Sequence, residues 1–413
     1  MNIASPMPLS YELFKPNIIL VAAILLTILA LHFPPKLRPF FLPPAWLLAA
    51  WSFTSVQGST TSGGLIGLES YTAITCIIHM LILPRILYFE SHSLLSKTTE
   101  TGNPTYSNNF ALPPSRPSLS AACWIWNNPR HLSRQRLGPG TAPWPKLLKF
   151  ALFRICKIGI IVLIDRAFVQ KASEYINATS TILDFTPDQE PILRRLFVGD
   201  EDDPVSGHQL LLRAFVCVSW IWTNILILES CHAILSLLFV VTLRFDDPED
   251  WPPLFGNPTE AWTVRQFWGR FWHRIASPTF YIYAKIFSQR ILKLKPSSAV
   301  DKAIVSFGIF FLSGLIHAIT AWKVGQGEAR RDLLFFCSNY LAVGGEIFLS
   351  TLLRNLVRKT KFEELLRDLR MRVAGKALGF IWVFAWFFWS APKWLYPKTL
   401  RWSLKQAILR SRT

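Results

Sequence analysis

Apolar residues come in long unbroken blocks, and polar residues collect between them. A helix needs about 20 apolar residues to cross a bilayer. Blocks of this kind lie near 17 to 33, 44 to 56, 68 to 89, 148 to 170, 209 to 243, 301 to 322, 333 to 353 and 376 to 396. Backbone amides in lipid must be satisfied within their own segment, and no barrel-type alternation appears, so the blocks predict helices. The expected fold class is all-α, a polytopic membrane bundle of about eight transmembrane helices that forms one membrane domain over 1-413. The fifth block is too long for one upright helix. It predicts either a single tilted helix or two spans broken near Asn224.

Composition agrees with this pattern, since 51% of the 413 residues are hydrophobic and only 17% are charged. A net charge of +18 on a soluble domain would suggest nucleic acid. On this chain it points to cytosolic loops and anionic lipid headgroups, and no nucleic-acid partner is expected. The six cysteines show no CxxC pair and mostly fall in apolar segments, so neither a disulfide framework nor a zinc knuckle is readable. Lys15 is the only basic residue before the first block, and no small-residue cleavage site follows, so an uncleaved signal anchor is expected.

The charges between the blocks suggest sidedness. Residues 90-147 are rich in Ser, Pro and Asn, carry Arg116, Arg130, Arg134 and Arg136, and read as a mobile cytosolic loop. Residues 173 to 203 are acidic and contain the sequon Asn177-Ala178-Thr179, which suits a glycosylated lumenal face. Counting forward puts 244 to 300 and 354 to 376 in the cytosol. The same count puts the basic C-terminal tail on the lumenal side, against the positive-inside rule.

Two stretches carry candidate chemistry. Trp251-Pro-Pro-Leu-Phe-Gly-Asn-Pro258 and Phe267-Trp-Gly-Arg-Phe-Trp-His273 combine aromatic, glycine and basic residues outside any span. Residue types alone favour an amphipathic surface helix, with Trp262, Phe267, Trp268, Phe271 and Trp272 at headgroup depth and Arg265, Arg270 and Arg274 snorkelling toward phosphates. Ser313-Gly-Leu-Ile-His317 lies within an apolar span, where a histidine is costly unless it faces a polar cavity. Ser313 shares its helical face, and Gly314 leaves room for a ligand or a neighbouring helix. Neutral imidazole can serve as a general base near pH 7, although an interhelical hydrogen bond is the plain alternative.

Together, PPLFGNP…FWGRFWH and SGLIH resemble the wax-synthase branch of the membrane-bound O-acyltransferase superfamily, particularly fungal members that acetylate terpenoid or meroterpenoid alcohols. The likeness is close over a wax-synthase-like catalytic region at 244-396, and elsewhere lies only in the pattern of spans. It implies a multi-pass endoplasmic reticulum enzyme with catalytic His317 and His273 and no bound cofactor. It also implies acetyl-CoA or another acyl-CoA as co-substrate and an apolar alcohol as acceptor. Trp268, Arg270, Trp272, Arg274 and Ser313 are then the candidates for binding substrate and acyl-CoA, and no metal site is expected. Two positions depart from the pattern: Phe271 stands where a second basic residue is common, and Ala318 where an acid often follows the histidine.

Other classes fit less well. Asp246-Asp-Pro-Glu-Asp250 has the DDxxD spacing of a magnesium-diphosphate site, but Pro248 disfavours the helix that would align its carboxylates. Asp165, Glu229, His232 and Glu346 fall within spans and would suit a transporter's proton path, yet no second Glu-x-x-His and no internal repeat accompany them. GxSxG, GxGxxG, Walker A and HExxH are all missing, which removes serine hydrolases, Rossmann enzymes, P-loop enzymes and zincins.

Overall fold

The computed structural model describes residues 9–34, 36–58, 67–87, 118–132, 138–198, 204–326, 328–357 and 369–411. These residues are helical, with no strand among them. The helices are α1 (Leu9–Leu31), α2 (Leu42–Ser55), α3 (Leu68–Leu87), α4 (Leu119–Trp126), α5 (Trp144–Ile164), α6 (Gln170–Thr179) and α7 (Ile192–Val198). They continue with α8 (Gly207–Ser236), α9 (Val264–Gln266), α10 (Ser277–Ile286), α11 (Ala299–Val324), α12 (Ala329–Val357) and α13 (Leu369–Arg410).

Among the described residues, six stretches are long and apolar enough to cross a membrane: Phe14–Leu31, Glu69–Leu87, Gly207–Thr242, Ala299–Val324, Ala329–Leu353 and Val373–Ile408. The other two expected spans are present as helices. Helix α2 has only 14 residues, and α5 carries Lys146, Lys149, Arg154 and Lys157. Block 209 to 243 is one continuous helix that ends in a π-turn, Leu237–Thr242. Asn224 does not break it, because its amide donates to Trp220 O within the helix (2.7 Å) and its Oδ1 accepts from Tyr71 of α3 (3.4 Å).

The N-terminal helices pack around Ala30, Leu31, Ala45, Leu83, Ile86, Ala122 and Trp124. Within 90-147, α4 is an ordered part of this core, with Ser120 to Ile125 buried, and residues 88 to 117 lie outside the described residues. Polar ties join the first helices where small residues let them approach. Ser52 Oγ of α2 donates to Pro16 O (2.7 Å), and Thr72 of α3 donates to Asn17 (3.1 Å). Burying such groups is tolerated because each has a partner.

A second, larger core joins α8, the 251–273 segment, α12 and α13. Trp220 of α8 is 2% exposed and lies at its centre. Its ring meets those of Trp272 (5.0 Å), Phe387 (5.7 Å), Trp394 (5.8 Å) and Phe335 (6.0 Å), mostly edge-on as aromatic quadrupoles favour. Helix α13 also passes the acidic segment after α6, where Phe185 packs edge-on against Tyr396 at 5.3 Å. There Arg331 pairs with Glu190 (2.6 Å), and Arg213 donates to Gln189 O and Glu190 O. The basic second half of α13 and the acidic loop thus share one end of the bundle, with opposite charges facing each other.

Candidate active site

The 251–273 segment is clamped against the core with its aromatic residues inside, while 256 to 260 and its arginines stay exposed. Trp251 O accepts from Arg154 of α5 (2.5 Å), and Pro252 O from Arg130 (3.2 Å). Phe255 N–H donates to buried Glu229 of α8 (3.4 Å), whose carboxylate also pairs with Lys157 at 2.8 Å. Gly256 N–H donates to Phe271 O (2.8 Å), so the two halves of the motif run against each other. A Cβ at Gly256 would collide with the carbonyl of Arg270, which explains the glycine. Glu346 of α12 caps the start of α9, accepting from Val264 N (2.6 Å) and Arg265 N (3.0 Å), and it also accepts from Trp382 of α13 (2.7 Å). Gly379 of α13 gives passage to the carbonyl of Trp262.

The expectation of an interfacial aromatic helix is therefore corrected. Phe267, Phe271 and Trp272 are 3%, 7% and 8% exposed, within the second core. Residues Phe267–Phe271 form a π-turn that directs these rings inward, while Arg265, Arg270 and Arg274 stay exposed. Trp268 donates its indole N–H to Asn339 of α12 (3.0 Å). The same Oδ1 accepts from Trp386 of α13 (2.9 Å), and the Asn339 amide donates to Phe335 O (2.7 Å). Arg270 faces Glu260 at 3.6 Å on the exposed side.

His317 sits on α11, two turns from its C-terminal end. Its imidazole stacks on Phe336 of α12 (4.8 Å, 15°) and stands edge-on to Trp394 of α13 (6.3 Å, 85°). Gly314, one turn earlier, lets α12 come close: a Cβ there would meet Leu333 Cα at 3.1 Å, Phe336 Cβ at 3.2 Å and Asp332 O at 3.4 Å. His273 packs between Phe255 (5.6 Å) and Trp272 (5.3 Å). Burial holds His273 down at about 3, and His317 and Arg130 push in the same direction. The fold thus brings two histidines 44 positions apart within electrostatic reach of each other. Ser313 is half-buried on the same face of α11 as His317.

Sequence reasoning did not single out Asp332. It is fully buried at the start of α12, accepts at Oδ1 from Trp394 Nε1 and Lys398 Nζ (2.7 Å each), and its backbone oxygen lies against Gly314, one turn from His317. Buried polar atoms of this region without a hydrogen-bond partner among the described residues include His273 Nδ1, Trp220 Nε1, Gln266 Oε1 and Asp332 Oδ2. Buried groups of this kind are rare, and they mark places where a ligand or ordered water completes the site.

Two cavities lie near this region among the described residues, and neither His273 nor His317 is among the residues that line them. One, of about 300 Å³, is lined by Trp124, Arg130, His232, Trp251, Leu254 and Ile275, the last two residues beyond His273. The other, of about 280 Å³, is lined by Phe185, Phe215, Val216, Lys398 and Trp402, with Ser173 and the exposed Asn177 at its rim. Lys398 links this second cavity to Asp332.

The residues of the competing readings have other work. Asp247 accepts from Thr141 N and Ala142 N (2.8 Å each), and Asp250 accepts from Asp247 N (2.8 Å). Asp246 accepts from Trp251 (3.0 Å). These carboxylates staple a 3-10 turn, Pro248–Asp250, against the segment before α5. Asp165 accepts from Trp222 (2.9 Å) and Gln170 (2.8 Å).

Residues 251–338 match the membrane bound O-acyl transferase family, a stretch that runs from the first motif through His317 and Asp332. The chain is similar to acetyltransferase atnC of Arthrinium sp, 31% identical over 199 residues, which are 47% of this chain and 43% of that protein. It is similar to acetyltransferase ple2 of Rhodocybe pseudopiperita, 30% identical over 195 residues, 47% of this chain and 48% of that one. The matches therefore span less than half of these two relatives' length. A likeness to acetyltransferase aurG of Calcarisporium arbuscula is longer and weaker, 23% identical over 376 residues, 87% of this chain and 86% of that protein. No solved structure matches the chain. The resemblance to membrane-bound O-acyltransferases read from the motifs is thus found again in the family match and in relatives named as acetyltransferases.

Proposed function

We propose that the protein is an acyl-CoA-dependent O-acyltransferase. Its reaction moves acetyl from acetyl-CoA to a hydroxyl of a terpenoid or meroterpenoid in secondary metabolite biosynthesis. The observation that carries this reading is the convergence of the motif histidine His273 and the span histidine His317 on one aromatic core. A pocket of about 300 Å³ with mostly apolar walls suits a small polycyclic alcohol.

In this reading His317 takes the hydroxyl proton as the oxygen attacks the thioester carbonyl. The new carbon–oxygen bond forms, the carbon–sulfur bond breaks, and coenzyme A leaves as thiolate to recover the proton from the imidazolium. A thiol of pKa about 8.5 is a good leaving group, so no strong general acid is required. His273, held neutral by burial, has one ring nitrogen free of any partner and lies with Trp272 along the acyl path. Trp268 holds that path in shape through Asn339, and the exposed Arg270 and Arg274 meet the phosphates of coenzyme A. Ser313 is the candidate to hold the acceptor hydroxyl next to His317. The endoplasmic reticulum, with 173 to 203 lumenal and Asn177 glycosylated, is the setting that suits these loops.

The test is free-thiol release in microsomes, with acetyl-CoA or palmitoyl-CoA and a pool of terpenoid and fatty alcohols, beside His317→Ala. Release that requires His317, acetyl-CoA and a terpenoid alcohol is expected. Release only with palmitoyl-CoA and a fatty alcohol would move the reading to a wax ester synthase. Undiminished turnover in a folded His317→Ala protein would remove the assignment.

A further inference from the structure

Asp332 is fully buried, and its two carboxylate oxygens have different surroundings. Oδ1 is saturated by Trp394 Nε1 and Lys398 Nζ, and the Lys398 ammonium also lies 4.7 Å from the Trp394 ring. Oδ2 has no partner. A carboxylate half answered in this way keeps a directed negative potential in a low-dielectric interior. The backbone beside Asp332 touches Gly314, and Phe336, one turn further along α12, supplies the face on which the His317 ring rests. Trp394, which Asp332 holds by the indole N–H, stands edge-on to the same ring (6.3 Å, 85°), so carboxylate and imidazole share a neighbour.

We infer that Asp332 is a positioning residue for His317. It holds Trp394, which stands edge-on to the ring, and its unpartnered oxygen leaves a buried acceptor beside the helix turn where positive charge appears when the imidazole takes a proton. This rests on the reading of His317 as the base. Lys398 holds the carboxylate in place. The acid is supplied from a neighbouring helix, 15 residues after the histidine, and not from the position that Ala318 occupies.

The test separates this role from simple neutralisation of Lys398. Asp332→Asn retains the shape but strands the Lys398 cation, so it is compared with the double variant Asp332→Asn, Lys398→Met, which removes both charges. The double variant is expected to elute as the folded protein with an unchanged KM and a kcat lowered by about tenfold to a hundredfold, the range of a weakened general base. Recovery of wild-type kcat in the double variant would overturn the inference, since Asp332 would then only balance Lys398. A second readout needs no turnover: the rate at which diethyl pyrocarbonate modifies His317, followed by peptide mass mapping. A several-fold slower rate in the double variant is expected at a pH where the imidazole is neutral, and an equal rate would overturn the inference. Were no alcohol acylated by the wild-type protein, the acyltransferase reading would fall, and the modification rates would still decide whether Asp332 acts on His317.

Discussion

The two glycines of the motif make opposite predictions. Gly256→Ala places a methyl group on the carbonyl of Arg270, and the neighbouring Gly256–Phe271 hydrogen bond (2.8 Å) leaves the loop no slack to absorb it. The forced shift costs about 1–3 kcal/mol, and the weakened hydrogen bond about 1 kcal/mol more. Together these give about 3 kcal/mol of local destabilisation. The strand of chain that must move ends two residues before His273, and a misplacement near 1 Å is worth up to about a hundredfold in rate. Gly269 has nothing within 4 Å of its Cβ direction, so Gly269→Ala should stay within about 0.5 kcal/mol of wild type. Size-exclusion of heated, detergent-solubilised protein would report the stability difference, and thiol release the activity difference. Equal behaviour of the two alanine variants would refute the claim that close backbone contact, and not glycine content as such, shapes the motif.

Other consequences follow from the same geometry. Asn339→Leu leaves the indole N–H groups of Trp268 and Trp386 without their acceptor, at about 1–3 kcal/mol each, and is expected to reduce the folded yield well below that of Asn339→Asp, measured by monodispersity in detergent. Gly314→Val should drive α12 away from α11 and lower kcat/KM by at least about tenfold, with Gly314→Ala intermediate in the same kinetic comparison. His273 titrates near 3 in the folded protein, well below the ordinary 6.5, so the unfolded chain binds the extra proton between these values. Its contribution to stability is therefore complete above about 6.5 and is lost as pH falls toward 3. Apparent melting temperatures measured from pH 7 to 5 should fall less steeply in His273→Gln.

Much of the fold could be read from hydrophobic blocks, because a helix in lipid must satisfy its own backbone wherever its neighbours lie. Whether 209 to 243 crosses once could not, since Asn224 reads as a break until Tyr71 of α3 is seen to bond it. The family likeness of 251–273 was legible, its depth was not. Aromatic and arginine residues side by side look alike at an interface and in a clamped loop, and the clamps Arg154, Glu229 and Glu346 come from distant parts of the chain. Asp332 was missed for a related reason: the apolar block starts at Leu333, so the carboxylate next to it reads as a span boundary. Only the packing of α11 on α12 turns that boundary into a neighbour of His317.

Helix α13 supplies Trp394 and Lys398 to Asp332, Trp386 to Asn339, Trp382 to Glu346 and the gap at Gly379 for Trp262. It is also synthesised after every other element of the site. A ribosome that has already delivered both histidines to the membrane has therefore made a chain whose reaction wall still lacks a side. The surroundings of both histidines are complete only when this helix docks, so a nascent or prematurely terminated chain holds the motif residues without Trp394 and Lys398 at Asp332.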